Sequence, residues 1–468
     1  MENKMTMGEN SKSSKNYALG MSLVAALGGL LFGYDTAVIS GVIGYLQTKF
    51  ELSEIMMGWA ASSAIIGCVF GVFVAGYIAD KIGRKKTLIV TGILFLLSSV
   101  IAGIAPDLIT FLIGRFIGGL GIGAASVVSP LYISEIAPEK KRGTLVTLYQ
   151  LAIVIGINLI YFVNLKIAGM GDEMWNVNTG WRYMIGSGAL PSIVFLILLI
   201  IVPESPRWLI KKNRDAEAYK VLTKVNGSEK AREVQSEIKD TLQQQSLNKE
   251  KGNLRDLLKP GIRMALIVGV FLALFSQITG INAIIYYAPE IFKAAGFGTD
   301  SALFQTVLIG VVNTVFTFVA IGLIDKAGRK KLLLWGVAGM AICLFGIGIC
   351  YYFNYMQGPL LLTFILVYIA CFASSLGPVS WVVISEIYPT KIRGMAMATA
   401  SAVVWIGALI ITILFPWLLK NLGGAYIFWI FMINAVILFL FTLFIVPETK
   451  QKSLEEIERL WFKKPKTS

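Results

Sequence analysis

An α-helix needs about 20 apolar residues to cross a hydrocarbon layer roughly 30 Å thick, and runs of that length recur along nearly the whole of this 468-residue chain. They fall near residues 18–45, 57–79, 87–106, 108–132, 144–167, 182–202, 261–289, 303–324, 331–353, 358–385, 396–419 and 424–446. Hydrocarbon offers no partner to an exposed N–H or C=O, so each run is expected to be a helix that satisfies its own backbone. Apolar side chains make up 56% of the sequence and charged ones 15%, too polar-poor for an ordinary water-solvated domain. The expectation is an all-α membrane protein of twelve transmembrane helices, which we number span 1 to span 12 in chain order.

Cations then set the orientation. Lys81, Arg84, Lys85 and Lys86, next Lys140, Lys141 and Arg142, and later Lys326, Arg329, Lys330 and Lys331 occupy alternate connections, while the intervening loops carry few. By the positive-inside rule those loops are cytoplasmic, and an even number of spans puts both termini on that side. No cleavable signal is expected before span 1. The formal net charge of +14 therefore reads as a topology signal facing anionic membrane lipid, and nucleic acid is not expected as a partner. Cys68, Cys343, Cys350 and Cys371 all fall within spans, as small buried hydrophobes rather than a disulfide or metal framework. Histidine is absent, which removes the usual general base and the commonest transition-metal ligand. Neither an enzyme nor a cofactor or metal site is expected.

The chain also repeats itself. ADKIGRKK from Ala79 answers IDKAGRKK from Ile324, SEIAPEKKRG from Ser134 answers SEIYPTKIRG from Ser385, and VPES from Val202 answers VPET from Val446. The order is kept and the offsets are 245, 251 and 244 residues, so the molecule is expected to be a duplication of six spans. The resulting division is a cytoplasmic tail at 1–16, a six-helix half at 17–203, a cytoplasmic helical linker at 204–260, a second six-helix half at 261–448 and a cytoplasmic tail at 449–468. Ser453–Phe462, with a capping serine and an amphipathic face, is expected to form a helix against the inner surface.

Charges beside or inside a membrane rarely lack partners. The repeated loops hold a symmetrical set, Asp80, Arg84, Glu135 and Arg142 in the first half and Asp325, Arg329, Glu386 and Arg393 in the second. They are expected to form ion-pair networks that clamp the halves shut on the cytoplasmic side and break on inward opening; plain positive-inside anchoring is the alternative. Asp35 in span 1 and Arg115 in span 4 lie deep within their runs. A buried carboxylate that gains and loses a proton beside a fixed guanidinium is the minimum apparatus for coupling proton entry to a conformational change, against the alternative of a permanent structural pair. Gln150, Gln277, Asn282, Asn313, Trp381 and Trp405 place amides and indoles inside spans, a combination suited to a polyol; interhelical hydrogen bonding is the competing reading for any one amide.

GGLLFGYDTAVISG, GRFIGGLGIG, VPESPRW, QITGINAIIYYAPEIF, GPVSWVVISEIYPTKIRG and VPETKQKSLEEIE, with the repeats above, resemble the sugar porter family of the major facilitator superfamily over the whole chain, most of all its bacterial pentose/proton symporters. The resemblance implies the major facilitator fold, a protonatable Asp35 partnered by Arg115, and sugar contacts from Phe32, Gln150, Gln277, Asn282, Tyr287, Asn313, Trp381 and Trp405. Ser276 stands where the family often has the first of two glutamines. Val404, with Ala408 soon after it, stands where the family often has an amide, Ile157 where some xylose symporters have a glutamine, and Gly188 where some of them have a carboxylate. A less polar site asks least of a pentose, because an unpaired buried hydroxyl costs about 1–3 kcal/mol. The expectation is proton-coupled uptake of a monosaccharide, D-xylose or L-arabinose ahead of glucose, by a monomer in the plasma membrane. A facilitative uniporter is the alternative, and a non-transporting sugar sensor a more remote one.

Overall fold

The computed structural model describes residues 2–138, 141–247, 262–355, 359–388 and 393–450. Among them twelve helices are long and apolar enough to cross a membrane: Asn16–Lys49, Glu54–Ile82, Arg84–Gly103, Leu108–Ile136, Arg142–Ala168, Glu173–Ile201, Ile262–Ala294, Thr299–Ile324, Arg329–Tyr352, Pro359–Glu386, Met395–Leu422 and Gly424–Phe444, spans 1 to 12. Most overrun their apolar stretch by a turn, because the helical backbone continues into polar ends such as Lys49 and Glu54. Span 6 differs most from the sequence expectation. It begins at Glu173, and a π-helical segment, Asn176–Gly180, carries it into Trp181. Polar residues there hid the helix from an apolarity criterion. Between spans 6 and 7 lie three shorter helices, Pro206–Lys211, Asp215–Asn226 and Ser228–Leu247. The helix expected at Ser453–Phe462 falls outside the described residues.

The chain divides into two compact units. Unit 1 comprises Met1–Val38, Ser63–Ile160 and Trp181–Glu250, and unit 2 comprises Ile39–Ser62, Tyr161–Gly180 and Lys251–Ser468. In unit 1 helices approach backbone to backbone at glycines, as lipid-solvated helices do in the absence of a hydrophobic driving force between them. A Cβ on Gly119 of span 4 would lie 2.0 Å from the Ala64 carbonyl oxygen of span 2, and one on Gly33 of span 1 would lie 1.9 Å from that of Ile153 in span 5.

Unit 2 joins spans 7 to 12 to the ends of spans 1, 2, 5 and 6 that are remote from the linker. The Tyr161 hydroxyl of span 5 donates to the Ile285 carbonyl of span 7 at 2.7 Å, Glu54 at the start of span 2 pairs with Lys420 of span 11, and a Cβ on Gly58 would meet the Ile413 carbonyl at 2.2 Å. Two spans of this unit are interrupted. Span 7 stops at Ile278 and restarts at Ile281, with Gly280 at φ +96°, a conformation that glycine adopts without penalty. Span 10 breaks at Ser375, between Pro359–Ser374 and Leu376–Glu386.

Candidate functional site

The deepest charges meet in unit 1. Arg115 Nη1 donates to Asp35 Oδ1 at 2.8 Å, and Nη2 donates to the Asp35 backbone carbonyl, also at 2.8 Å. Arg115 is 1% exposed and Asp35 8%. A guanidinium presents its donors as a rigid fork, so one side chain grips both the carboxylate and the main chain of span 1. Loss of charge on Asp35 would weaken the first bond and leave the second.

At the linker end of unit 1, Arg84 opens span 3 and takes Glu135 of span 4 in a two-pronged bond, Nε to Oε2 and Nη2 to Oε1, each at 3.0 Å. Its Nη1 donates to Asp80 Oδ1 at 2.9 Å. Asp80 also accepts from Lys211 of the linker at 2.9 Å, and the Ser205 hydroxyl donates to Glu135. Unit 2 repeats the design: Arg329 Nη2 donates to Glu386 Oε1 at 3.1 Å and the Thr449 hydroxyl donates to Glu386 Oε2 at 2.5 Å. Arg142 sits exposed at the start of span 5. The side chains of Asp325 and Arg393 lie outside the described residues. The bonds seen in each network run between helices of one unit.

Two carboxylates that the sequence reading left out of these networks complete them. Glu204 accepts the backbone N–H groups of Arg84, Lys85 and Ser205 at 2.8, 3.1 and 2.9 Å; Glu448 accepts those of Arg329, Lys330 and Lys450 at 3.0, 3.1 and 2.9 Å. The first N–H groups of a helix have no partner within it, and Gly83 and Gly328, the residues just before spans 3 and 9, carry no side chain to cap them. A carboxylate from far along the chain does so, favoured by the positive end of the helix dipole. Burial pushes the Glu204 carboxyl above its ordinary range, while its three backbone donors pull the other way. The recurrence of Glu in VPES and VPET was the signal available in the sequence.

The polar residues of the C-terminal spans lie in unit 2. Asn282 Nδ2 donates to Gln277 Oε1 at 2.7 Å, Gln277 Nε2 to Ser276 Oγ at 3.0 Å, and Ser276 Oγ to the Ala273 carbonyl at 2.7 Å. This chain spans the break in span 7. Tyr368 of span 10 donates to the Thr279 carbonyl there at 3.0 Å, satisfying a group the interrupted helix leaves over. Gln277 and Asn282 are half-buried, and each amide carries two donors and a carbonyl oxygen, more than these bonds consume. Tyr287 differs: it is 1% exposed, its hydroxyl is committed to the Thr412 carbonyl at 2.9 Å, and its ring stacks on Phe415. Asn313 is buried in span 8, Trp381 is 39% exposed on span 10, and Trp405 is half-buried in span 11. In unit 1, Phe32 and Gln150 are half-buried on spans 1 and 5.

Twelve such spans, a duplicated charged motif and a buried acid–guanidinium pair define a polytopic membrane carrier. The family model for "Sugar (and other) transporter" matches residues 21–461, and the chain belongs to that family. It is 45% identical over 450 residues to the arabinose-proton symporter of Bacillus subtilis, covering 96% of each chain. It is 41% identical over 487 residues to the D-xylose-proton symporter of Escherichia coli, covering 97% of each. The inward open conformation of the xylose transporter XylE from E. coli superposes with a TM-score of 0.84 at 40% identity, over 95% of this chain and 100% of that one. The fold is thus the twelve-helix fold of those transporters, and the protein is a multi-pass membrane protein.

Proposed function

We propose that the protein is a proton-coupled symporter of a pentose, D-xylose or L-arabinose, in the plasma membrane. The relatives at 45% and 41% identity, named as symporters of those two sugars with protons, support the substrate class. The observation that carries the coupling is the Asp35–Arg115 pair. An ionised Asp35 is held to span 4 by Arg115 through a bond between opposite charges in a buried setting, which is strong while both charges stand. A proton on Asp35 cancels one charge and loosens span 1 from span 4, while the second Arg115 bond, to the backbone, keeps the guanidinium in place to recapture the acid when the proton leaves.

Sugar contacts are proposed from Ser276, Gln277, Asn282, Asn313, Trp381 and Trp405, with Phe32 and Gln150. Tyr287 is proposed to act by supporting the second part of span 7, since its hydroxyl is already used. The amides beside the span 7 break suit the role because a broken helix moves its two parts at little cost, as in other carriers with discontinuous helices. The charged networks are proposed to lie on the cytoplasmic face, with both termini. Within each six-span half they tie helix ends together, which is the within-half part of the expected clamp.

Uptake of labelled D-xylose, L-arabinose and D-glucose into proteoliposomes, with and without an imposed inward proton gradient, tests the reading. Accumulation of a pentose above equilibrium only with the gradient supports it. Equal uptake in both conditions makes the protein a uniporter, and failure to take up any of the three removes the substrate assignment.

A further inference from the structure

A carboxylate has two oxygens, and the Arg115 side chain takes one of those of Asp35. Oδ2 has no hydrogen-bond partner among the described residues, although it is buried. A second unpartnered atom borders the same space: the hydroxyl of Ser98 in span 3, a residue 1% exposed. The common point is Gly118 of span 4, where a Cβ would stand 3.0 Å from Asp35 Oδ2 and 2.4 Å from Ser98 Oγ. The missing side chain keeps that space open.

Ser98 is also the exception in its own helix. Span 3 holds four hydroxyl residues, and Thr87, Thr91 and Ser99 each donate to the carbonyl four residues back, of Gly83, Thr87 and Phe95. That is the default for a hydroxyl inside a helix. The Ser98 hydroxyl makes no such bond and faces the acid.

We propose that Ser98, lying over Gly118, is the positioning residue through which the second oxygen of Asp35 exchanges hydrogen bonds as the acid gains and loses its proton, directly or through one water between them. The proposal rests on the reading of Asp35 as the coupling group. A hydroxyl both donates and accepts, whereas Arg115 only donates. With Asp35 ionised, Ser98 donates to Oδ2. With Asp35 protonated, Oδ1 still faces the Arg115 donor, so the proton sits on Oδ2 and is donated to Ser98 Oγ. One side chain thus serves both states and gives the second oxygen of Asp35 a partner in each. Among the described residues, Arg115 of span 4 and Cys68 of span 2 interact electrostatically with Asp35. Span 6 presents Gly188 to Ser99, the next residue, with a would-be Cβ 2.6 Å from its Oγ, and so brings no acid to that contact.

The test is the pH at which gradient-driven pentose uptake is half-maximal, for the wild type, Ser98→Ala, Ser98→Thr, Gly118→Ala and Asp35→Asn, with equilibrium exchange in the same vesicles reporting intact carrier. A hydrogen bond to an anion is stronger than one to the neutral acid. Removing the hydroxyl therefore favours the protonated form and raises the midpoint by about one pH unit. Thr restores the wild-type midpoint, and the methyl of Gly118→Ala, which fills the shared space, shifts it in the same direction as Ser98→Ala. Wild-type midpoints for Ser98→Ala and Gly118→Ala, with pH dependence lost in Asp35→Asn, would overturn the role of Ser98 and leave that of Asp35. Persisting pH-dependent accumulation in Asp35→Asn would overturn both. If Ser98→Ala fails to assemble, the midpoint of Gly118→Ala decides.

Discussion

Glu204 accepts the backbone N–H of Arg84 at 2.8 Å across 120 positions of sequence, and Glu448 does the same for Arg329 at 3.0 Å in the second repeat. The duplication is thus realised in bonds as well as in motifs. Truncating either acid leaves two N–H groups at a helix start and one in the adjoining strand of linker or tail without their partner. We expect Glu204→Ala and Glu448→Ala each to lower stability by about 1–3 kcal/mol, read as comparable drops in thermal unfolding temperature in detergent. A large loss for one and none for the other would contradict the equivalence of the two sites.

Glu204 also gives a pH dependence with a definite sign. Its folded carboxyl is raised by burial, so between the unfolded and folded values the folded state binds more protons. Its contribution to stability is fully present below the unfolded value and lost as pH rises through the folded one. The stability difference between wild type and Glu204→Gln should therefore fall as pH is raised across that window and then level off. A difference that grows with pH would show that the backbone donors outweigh burial.

The ion pairs should separate by exposure. Arg84 and Glu135 have side chains 7% and 6% exposed, so Arg84→Ala strands a buried carboxylate and should cost about 3–5 kcal/mol. Lys420 in the Glu54 pair is 66% exposed, and Glu54→Gln should change stability by less than about 1 kcal/mol. Unfolding in a denaturant-compatible detergent measures both.

For the amides, Asn282→Ala and Gln277→Ala should raise the KM for pentose by roughly ten- to a hundredfold, the equivalent of about 1–3 kcal/mol of lost hydrogen bonding. Tyr287→Phe, which loses only the bond to Thr412, should lower thermal stability and leave KM within a few-fold. Equal KM effects at Tyr287 and Asn282 would place the tyrosine hydroxyl on the sugar.

Much of this was legible in the sequence because the bilayer reduces the choice of structure to one. Twelve apolar runs, three repeated motifs and two intramembrane charges carried the fold and the Asp35–Arg115 pairing. What stayed hidden depended on tertiary partners. The span 7 break, at Thr279 and Gly280, is two residues long within a run that still reads as one span, and the start of span 6 lies among polar residues that give no apolar signal. Glu204 and Glu448 read as parts of a repeat, and only their placement against span 3 and span 9 shows that they cap helices. Ser98 reads as one more hydroxyl in an apolar helix until the glycine opposite it is seen.

The most direct test of the central claim is proton movement on adding sugar. A de-energised, lightly buffered suspension of cells or proteoliposomes carrying the wild-type protein should show alkalinisation of the medium when a pentose is added, as protons enter with it. Asp35→Asn should give none while still exchanging labelled sugar. Sugar entry by the wild type without any proton uptake would contradict the account and make the buried pair a structural one in a uniporter.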